Sequence, residues 1–195
     1  STAGNPQKGA ALFQKSGCGG CHRLGQRGGR LGPGISIASA RLKPDWVVRW
    51  LQNPQAIDEK TMMPNFDLKP SGARALAAYI TGFVKSVDSR EEGKLDQEKV
   101  RRGKKLFSNL GCWGCHQMDK FHPKGNEKIG PDLQSEGARV QMSWLHSFLK
   151  TPYRIRPRLE GRMPDFRLNS DEARAVAAFL GTLKGPALSP PVGAA

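Results

Sequence analysis

Cysteine is scarce in this chain: four residues in 195, arranged as two Cys-x-x-Cys pairs. That is too few for a disulfide scaffold. No apolar run approaches the roughly 20 residues of a membrane span, so no crossing of a bilayer is expected. No stretch alternates apolar and polar residues long enough to argue for a sheet. The chain begins Ser1-Thr2-Ala3-Gly4 without a basic-then-apolar leader, which reads as a leader removed or never present. Acidic residues are also short, 17 against 31 Lys and Arg, for a formal charge of +14. Such a surface points to an anionic partner: nucleic acid, an anionic membrane or an acidic protein patch. With 37% hydrophobic and 25% charged residues, the composition is globular rather than disordered or fibrous.

What the chain does have is an internal repeat. Gly9, Leu12, Phe13, Gly17, Cys18, Cys21 and His22 recur 94 residues later as Gly103, Leu106, Phe107, Gly111, Cys112, Cys115 and His116. Further along, Gly32-Pro33, Trp46, Leu51 and Pro54 recur 98 residues later, and Met63-Pro64, Phe66 and Leu68 recur 100 later. The drift of six residues falls in loop-like segments, as insertions do. Two units of this size are too long and too few for a solenoid. They read as two copies of one small domain, residues 1–86 and 99–184. Between them, residues 87–98 carry five acids and two bases and read as a polar linker. Residues 185–195, uncharged and with three prolines, read as a tail. Both copies are basic, at +8 and +9, whereas the linker is −3.

Each copy reads as helical. Pro6 to Ser16 and Lys99 to Leu110 are expected as helices stopped by Gly17 and Gly111. Asp45 to Gln52 and Ser143 to Lys150 are expected as second helices ending near a proline. Leu76, Tyr79, Ile80 and Phe83 keep a helical stripe, as do Val176, Phe179, Leu180 and Leu183. The fold class is therefore all-α with long loops, the longest between the cysteine motif and the second helix. About 90 residues with few apolar side chains make a thin core, so another component must fill the middle.

Cys18-Gly19-Gly20-Cys21-His22 and Cys112-Trp113-Gly114-Cys115-His116 suggest that component. Cys-x-x-Cys-His is the pattern of covalent c-type haem attachment. Positions i, i+3 and i+4 share a helical face, so two thiols can bond the two vinyl groups while the imidazole reaches the iron. A zinc site would need cysteines 94 residues apart, in separate repeats. A thioredoxin-like pair would need a βαβ context and leaves the repeated histidine without a role. Two copies at equivalent positions make chance negligible.

A sixth ligand is sought in Met62 or Met63 of the first copy and Met163 of the second. The repeat decides: Met63 and Met163 both precede proline, whereas Met62 aligns with Arg162. Met118, Met142, His122 and His146 have no repeat partners, and the two methionines are taken as packing residues.

On these residues each half resembles a class I cytochrome c. The order is a Gly/Phe-bearing first helix, Cys-x-x-Cys-His, Gly-Pro, a Trp-bearing helix, Met-Pro and an apolar last helix. The whole chain is similar to diheme cytochromes c made of two fused class I domains, the c-four type. Trp-x-x-x-Trp-Leu-x-x-Pro followed by Met-Pro-x-Phe also resembles cytochrome domains attached to respiratory oxidoreductases. The resemblance implies two covalently bound haem c groups. It further implies that Pro33 and Pro131 offer backbone carbonyls to the proximal histidines. It implies, too, that Gly9 with Tyr79, and Gly103 with Phe179, mark close crossings of terminal helices. A departure is the long second loop, FHPKGNEKIGP.

His22/Met63 and His116/Met163 would fill both axial positions and favour reduced iron, leaving no open site for substrate. The expected function is an electron carrier between redox partners rather than an enzyme, free or as a subunit of an oxidoreductase complex. The alternative is a diheme enzyme, such as a peroxidase or the haem subunit of a substrate dehydrogenase. No fifth cysteine is present to ligate a haem. Covalent haems form outside the cytoplasm, so the expected compartment is periplasmic and nucleic acid drops out as partner. An acidic redox protein or complex takes its place. Arg154, Arg156, Arg158 and Arg162 lie just before Met163, as a docking rim or as contacts to haem propionates.

Overall fold

The computed structural model describes residues 4–84, 96–118, 130–155 and 162–185. The chain divides into two compact units, one from each half. Among the described residues all regular structure is helical, apart from an isolated bridge between Leu24 and Arg27. The all-α class thus holds.

In the first unit α1 (Pro6–Lys15) starts where Asn5 Oδ1 accepts from Lys8 N at 2.9 Å, with Pro6 in the first turn. It packs against α5 (Pro70–Thr81). Gly9 permits the crossing, because a Cβ there would run into the Ala75 carbonyl and lie 2.7 Å from Tyr79 Cβ. The Phe13 and Tyr79 rings then meet tilted at 5.6 Å. Short α2 (Ile35–Arg41) and the Trp-bearing α3 (Pro44–Gln52) also pack on α5. One further turn, α4 (Pro54–Ile57), is capped by Asn53. The core consists of Phe13, Ile35, Trp46, Val47, Val48, Leu51, Leu76 and Ile80, with much of the rest alanine. Phe83, the last residue of the expected stripe, lies beyond the end of α5 and is 42% exposed, its ring edge-on to Tyr79 at 4.9 Å.

The second unit repeats the plan. α6 (Gln97–Asn109) packs on α9 (Ser170–Gly181), with Gly103 against the Ala175 carbonyl and the Phe107 and Phe179 rings 5.5 Å apart. α7 (Glu136–Arg139) and α8 (Met142–Lys150) also pack on α9. α7 carries a buried ion pair between its own Glu136 and Arg139. α9 opens with a capping box, Asn169 and Glu172 each bonding the other's backbone.

Three expectations shift. Helix α6 begins at Gln97, inside the stretch 87–98 expected as linker, because the Asp96 carboxylate accepts from Glu98 N at 3.0 Å and Lys99 N at 3.4 Å. Residues 87–95 of that stretch, residues 186–195 of the tail and most of FHPKGNEKIGP lie outside the described residues. The second helices α3 and α8 each begin one residue earlier than expected, at Pro44 and Met142. Finally, α2 and α7 occupy the stretch expected as the longest loop. They are too short to hold themselves and form through packing on α5 and α9.

Backbone N–H groups of Lys99 and Glu98 hold the Asp96 carboxyl below the usual carboxylate range. Its contribution is therefore present above the ordinary carboxylate pKa and is lost as pH falls through the lowered value. Asp96→Ala should fray the first turn of α6. Amide protection at Glu98 and Lys99 should fall at neutral pH and lose its dependence on acid. Unchanged protection would show that the cap contributes nothing.

Candidate haem-attachment sites

In both copies the cysteine turn is made by a glycine. α1 ends and Gly17 takes φ 67°, turning the chain into a 3-10 turn at Cys18–Gly20; Gly111 takes φ 66° before Cys112–Gly114. Both lie in the left-handed region that glycine enters without strain. His22 N then donates to Cys18 O at 2.9 Å and Cys21 N to the same oxygen at 3.2 Å. The matching distances from His116 and Cys115 to Cys112 O are 3.0 and 3.2 Å. Two thiols and an imidazole thus sit on one turn, twice. All four cysteines are unpaired; Cys18 and Cys112 are half-buried, Cys21 and Cys115 exposed. Burial pushes the Cys112 thiol up to about 11, and the Cys18 thiol up as well. A reactive redox pair shows the opposite shift.

The imidazoles are held from behind. His22 Nδ1 donates to the Pro33 carbonyl at 2.8 Å and His116 Nδ1 to the Pro131 carbonyl at 2.9 Å. A carbonyl only accepts, so the proton sits on Nδ1 and Nε2 keeps its lone pair for a metal. The Gly-Pro loop is fastened to the cysteine turn by Gly32 N to Cys21 O at 3.0 Å and Gly130 N to Cys115 O at 2.8 Å. A Cβ at Gly32 would lie 2.6 Å from His22 Nδ1, and one at Gly130 2.8 Å from His116 Nδ1. The glycine before each proline is therefore a cradle for the ring that any side chain would fill.

Met63 and Met163 are both half-buried, whereas Met62 is 71% exposed and Arg162 is exposed. Behind each Met-Pro comes a turn that the sequence reading missed. Asn65 Oδ1 accepts from Asp67 N at 2.9 Å, and Asp165 Oδ1 from Arg167 N at 2.8 Å. Asp67 and Arg167 both take positive φ, 47° and 53°. The available signal was an Asx residue right after each Met-Pro, since Asn and Asp side chains close such turns. Half-buried Phe66 and Phe166 lie between. Trp50 Nε1 donates to Met63 Sδ at 2.9 Å.

Of the other sequence-singled residues, Met118 is buried, Met142 is half-buried, and His146 Nε2 lies 3.2 Å from Ser170 O and Oγ. His122, Arg156 and Arg158 fall outside the described residues; Arg154 is exposed. Among the described residues no three His, Cys, Asp or Glu side chains gather as a metal cluster. Among them, too, no helix is long and apolar enough to cross a membrane. Each copy therefore presents a pair of thiols beside an imidazole whose Nδ1 is engaged and whose Nε2 faces away from the carbonyl. These residues fit haem c.

Residues 4–80 match the family model of the cbb3-type cytochrome c oxidase subunit III, and residues 100–184 match that of cytochrome c. The cbb3-type cytochrome c oxidase subunit CcoP of Helicobacter pylori (strain 52) is 30% identical over 125 residues, covering 63% of this chain and 39% of that protein. CcoP of strain ATCC 700392 / 26695 is 32% identical over 118 residues, covering 60% and 38%. The chain spans about two fifths of the length of these curated relatives. No solved structure gives a significant match. With a cytochrome c-type family model matched by each half and the attachment turn present in both, these matches support a diheme cytochrome c with two covalently bound haem c groups.

Proposed function

We propose that this chain transfers electrons outside the cytoplasm, as the haem-bearing part of a respiratory oxidoreductase complex. The domains are residues 1–86 and 99–184. Cys18 and Cys21 hold one haem through thioether bonds and Cys112 and Cys115 the other. His22 with Met63 would hold the first iron, and His116 with Met163 the second. When bound, haem c supplies a one-electron iron couple whose potential depends on its axial ligands. The chain's own part is to fix each imidazole tautomer and ring orientation through Pro33 and Pro131. With a histidine and a methionine both given to each iron, the chain would leave no open position for a substrate. The observation that carries this reading is the pair of Nδ1–carbonyl hydrogen bonds, at 2.8 and 2.9 Å, beside two equivalent thiol turns. The relatives' place in a cbb3-type oxidase makes a terminal oxidase the favoured complex.

Charge points to the docking face. The stretch ahead of Met163 holds Arg154, Arg156, Arg158 and Arg162 against one acid, Glu160, whereas residues 56–62, AIDEKTM, hold two acids and one base. The second haem is assigned to the acidic partner, and the first passes electrons on or takes them away. Reversing Arg154, Arg156 and Arg158 to Glu should slow electron exchange with oxidase-bearing membranes and flatten its dependence on salt. The same reversal at the exposed Lys8, Lys15 and Arg23 should do much less. A larger effect on the association rate from the first-domain set would overturn the docking assignment. Salt-independent exchange in the unmodified protein would overturn the acidic partner.

A further inference from the structure

The two methionines are not held alike. In each Trp-bearing helix a stacked ring pair lies one turn apart. Trp46 and Trp50 are 5.2 Å apart at 17°, and Trp144 and Phe148, 98 residues later, are 4.9 Å apart at 18°. The second ring of each pair occupies the same place, but only Trp50 carries an N–H. That group donates to Met63 Sδ at 2.9 Å. Two more bonds clamp the same residue: Gln55 Nε2 donates to Met63 O at 2.7 Å, and Met63 N donates to Thr61 Oγ1 at 3.3 Å. At the repeat-equivalent positions stand Phe148, Tyr153 and Gly161. Phenylalanine has no donor and glycine has no hydroxyl. The Tyr153 hydroxyl instead accepts from Trp144 Nε1 at 2.9 Å.

We propose that Trp50, with Gln55 and Thr61, locks Met63 in the first domain, and that Met163, without these partners, is the methionine an external ligand displaces. This rests on the His/Met assignment above. A thioether sulfur has two lone pairs, so it can accept the indole N–H on one and keep the other for the metal. The hydrogen bond fixes the direction of the free pair and lowers the cost of ordering a flexible side chain. It also draws some electron density from sulfur, which favours the reduced state; in the ferric protein this weakening opposes the positioning effect, and the lock requires positioning to be the larger of the two. Both effects arise from Trp50 in the first domain, and Phe148, which carries no donor, supplies neither in the second. Trp50 is a positioning residue acting through Met63.

The test uses the full-length protein carrying both haems, with imidazole as the probe ligand. An added imidazole nitrogen bonds the ferric iron as the methionine sulfur leaves, and the weak sulfur-to-iron band reports the loss. In the unmodified protein the band should disappear in two steps, the first assigned to the second domain by its absence in Met163→Ala. Trp50→Phe places in the first copy the ring that the second copy already stacks at this position, so the fold tolerates it. It should raise the first domain's imidazole affinity about three- to tenfold, the worth of one net hydrogen bond. It should shift that haem's reduction equilibrium by a similar factor towards oxidised, about 30 to 60 mV at 59 mV per tenfold. The second haem should not change. Phe148→Trp is the converse variant and should move only the second domain, in the opposite sense. If both sulfur-to-iron bands are present but Trp50→Phe leaves affinity and potential unchanged, the lock is wrong and the ligand assignment stands. If the ferric protein has no such band, the assignment fails and the lock with it.

Discussion

Replacing Cys18 and Cys21 by alanine should abolish stable folding of residues 1–86 in the full-length chain while the second half keeps its structure. A unit of this size buries only about 60% of the surface its unfolded chain exposes and is marginal without reinforcement. Much of its core is alanine: Ala38, Ala73, Ala75 and Ala77 stand among its buried apolar residues. Such residues let helices approach closely but bring little apolar area, and area is what stabilises. Leu31 and Phe83 remain 45% and 42% exposed to water on the protein alone. A covalently held haem brings a large apolar surface into this thin core and links it to the chain at two points. Without the thiols that link is gone, and His22 is left with the Pro33 carbonyl but no metal to hold. Circular dichroism should show about half the helical signal lost, and hydrogen exchange should place the loss in α1 to α5. A well-folded, haem-free first unit with protected amides would contradict this outcome.

Met63→Ala should remove the sulfur-to-iron band of one haem and lower its potential, leaving the other haem intact. The expected drop is on the order of a tenth of a volt or more, within the roughly 0.8 V that axial ligands command. Met62→Ala should change neither quantity, because Met62 is 71% exposed and aligns with an arginine in the other copy. The neighbouring structure favours Met63 as well. Its sulfur already meets a donor on α3, and the Asx turn at Asn65 to Asp67 sets the chain's exit with a left-handed residue. Conformations of that kind persist where surrounding structure imposes them, often at functional sites. Visible spectra and a redox titration of the two variants separate the possibilities. Loss of the band in Met62→Ala but not in Met63→Ala would mean that the repeat register misassigns the ligand.

The attachment turns were legible in the sequence because they are local. Gly17 or Gly111, two cysteines and a histidine lie within six residues, and a single helical turn brings the three functional groups together. The two-copy arrangement and the helical class were legible for a related reason. Helix α5 repeats as α9 and α1 as α6, with the glycines that cross them at matching places. The starts of α6, α3 and α8 were read a residue or two late, since a cap such as Asp96 is one side chain in a polar run.

What tertiary structure alone decided is which distant groups meet. α2 and α7 exist because they are packed on α5 and α9, not because seven or four residues sustain a helix. The Asx turns depend on which backbone N–H each short side chain faces. Above all, Trp50 and Met63 are 13 residues apart, on a helix and a loop. Nothing in their spacing says that an indole N–H ends on a sulfur. The repeat paired Met63 with Met163 by sequence. The tertiary contact gives that pairing a difference to act on, because Trp50 reaches the Met63 sulfur with a donor that the equally stacked Phe148 does not have.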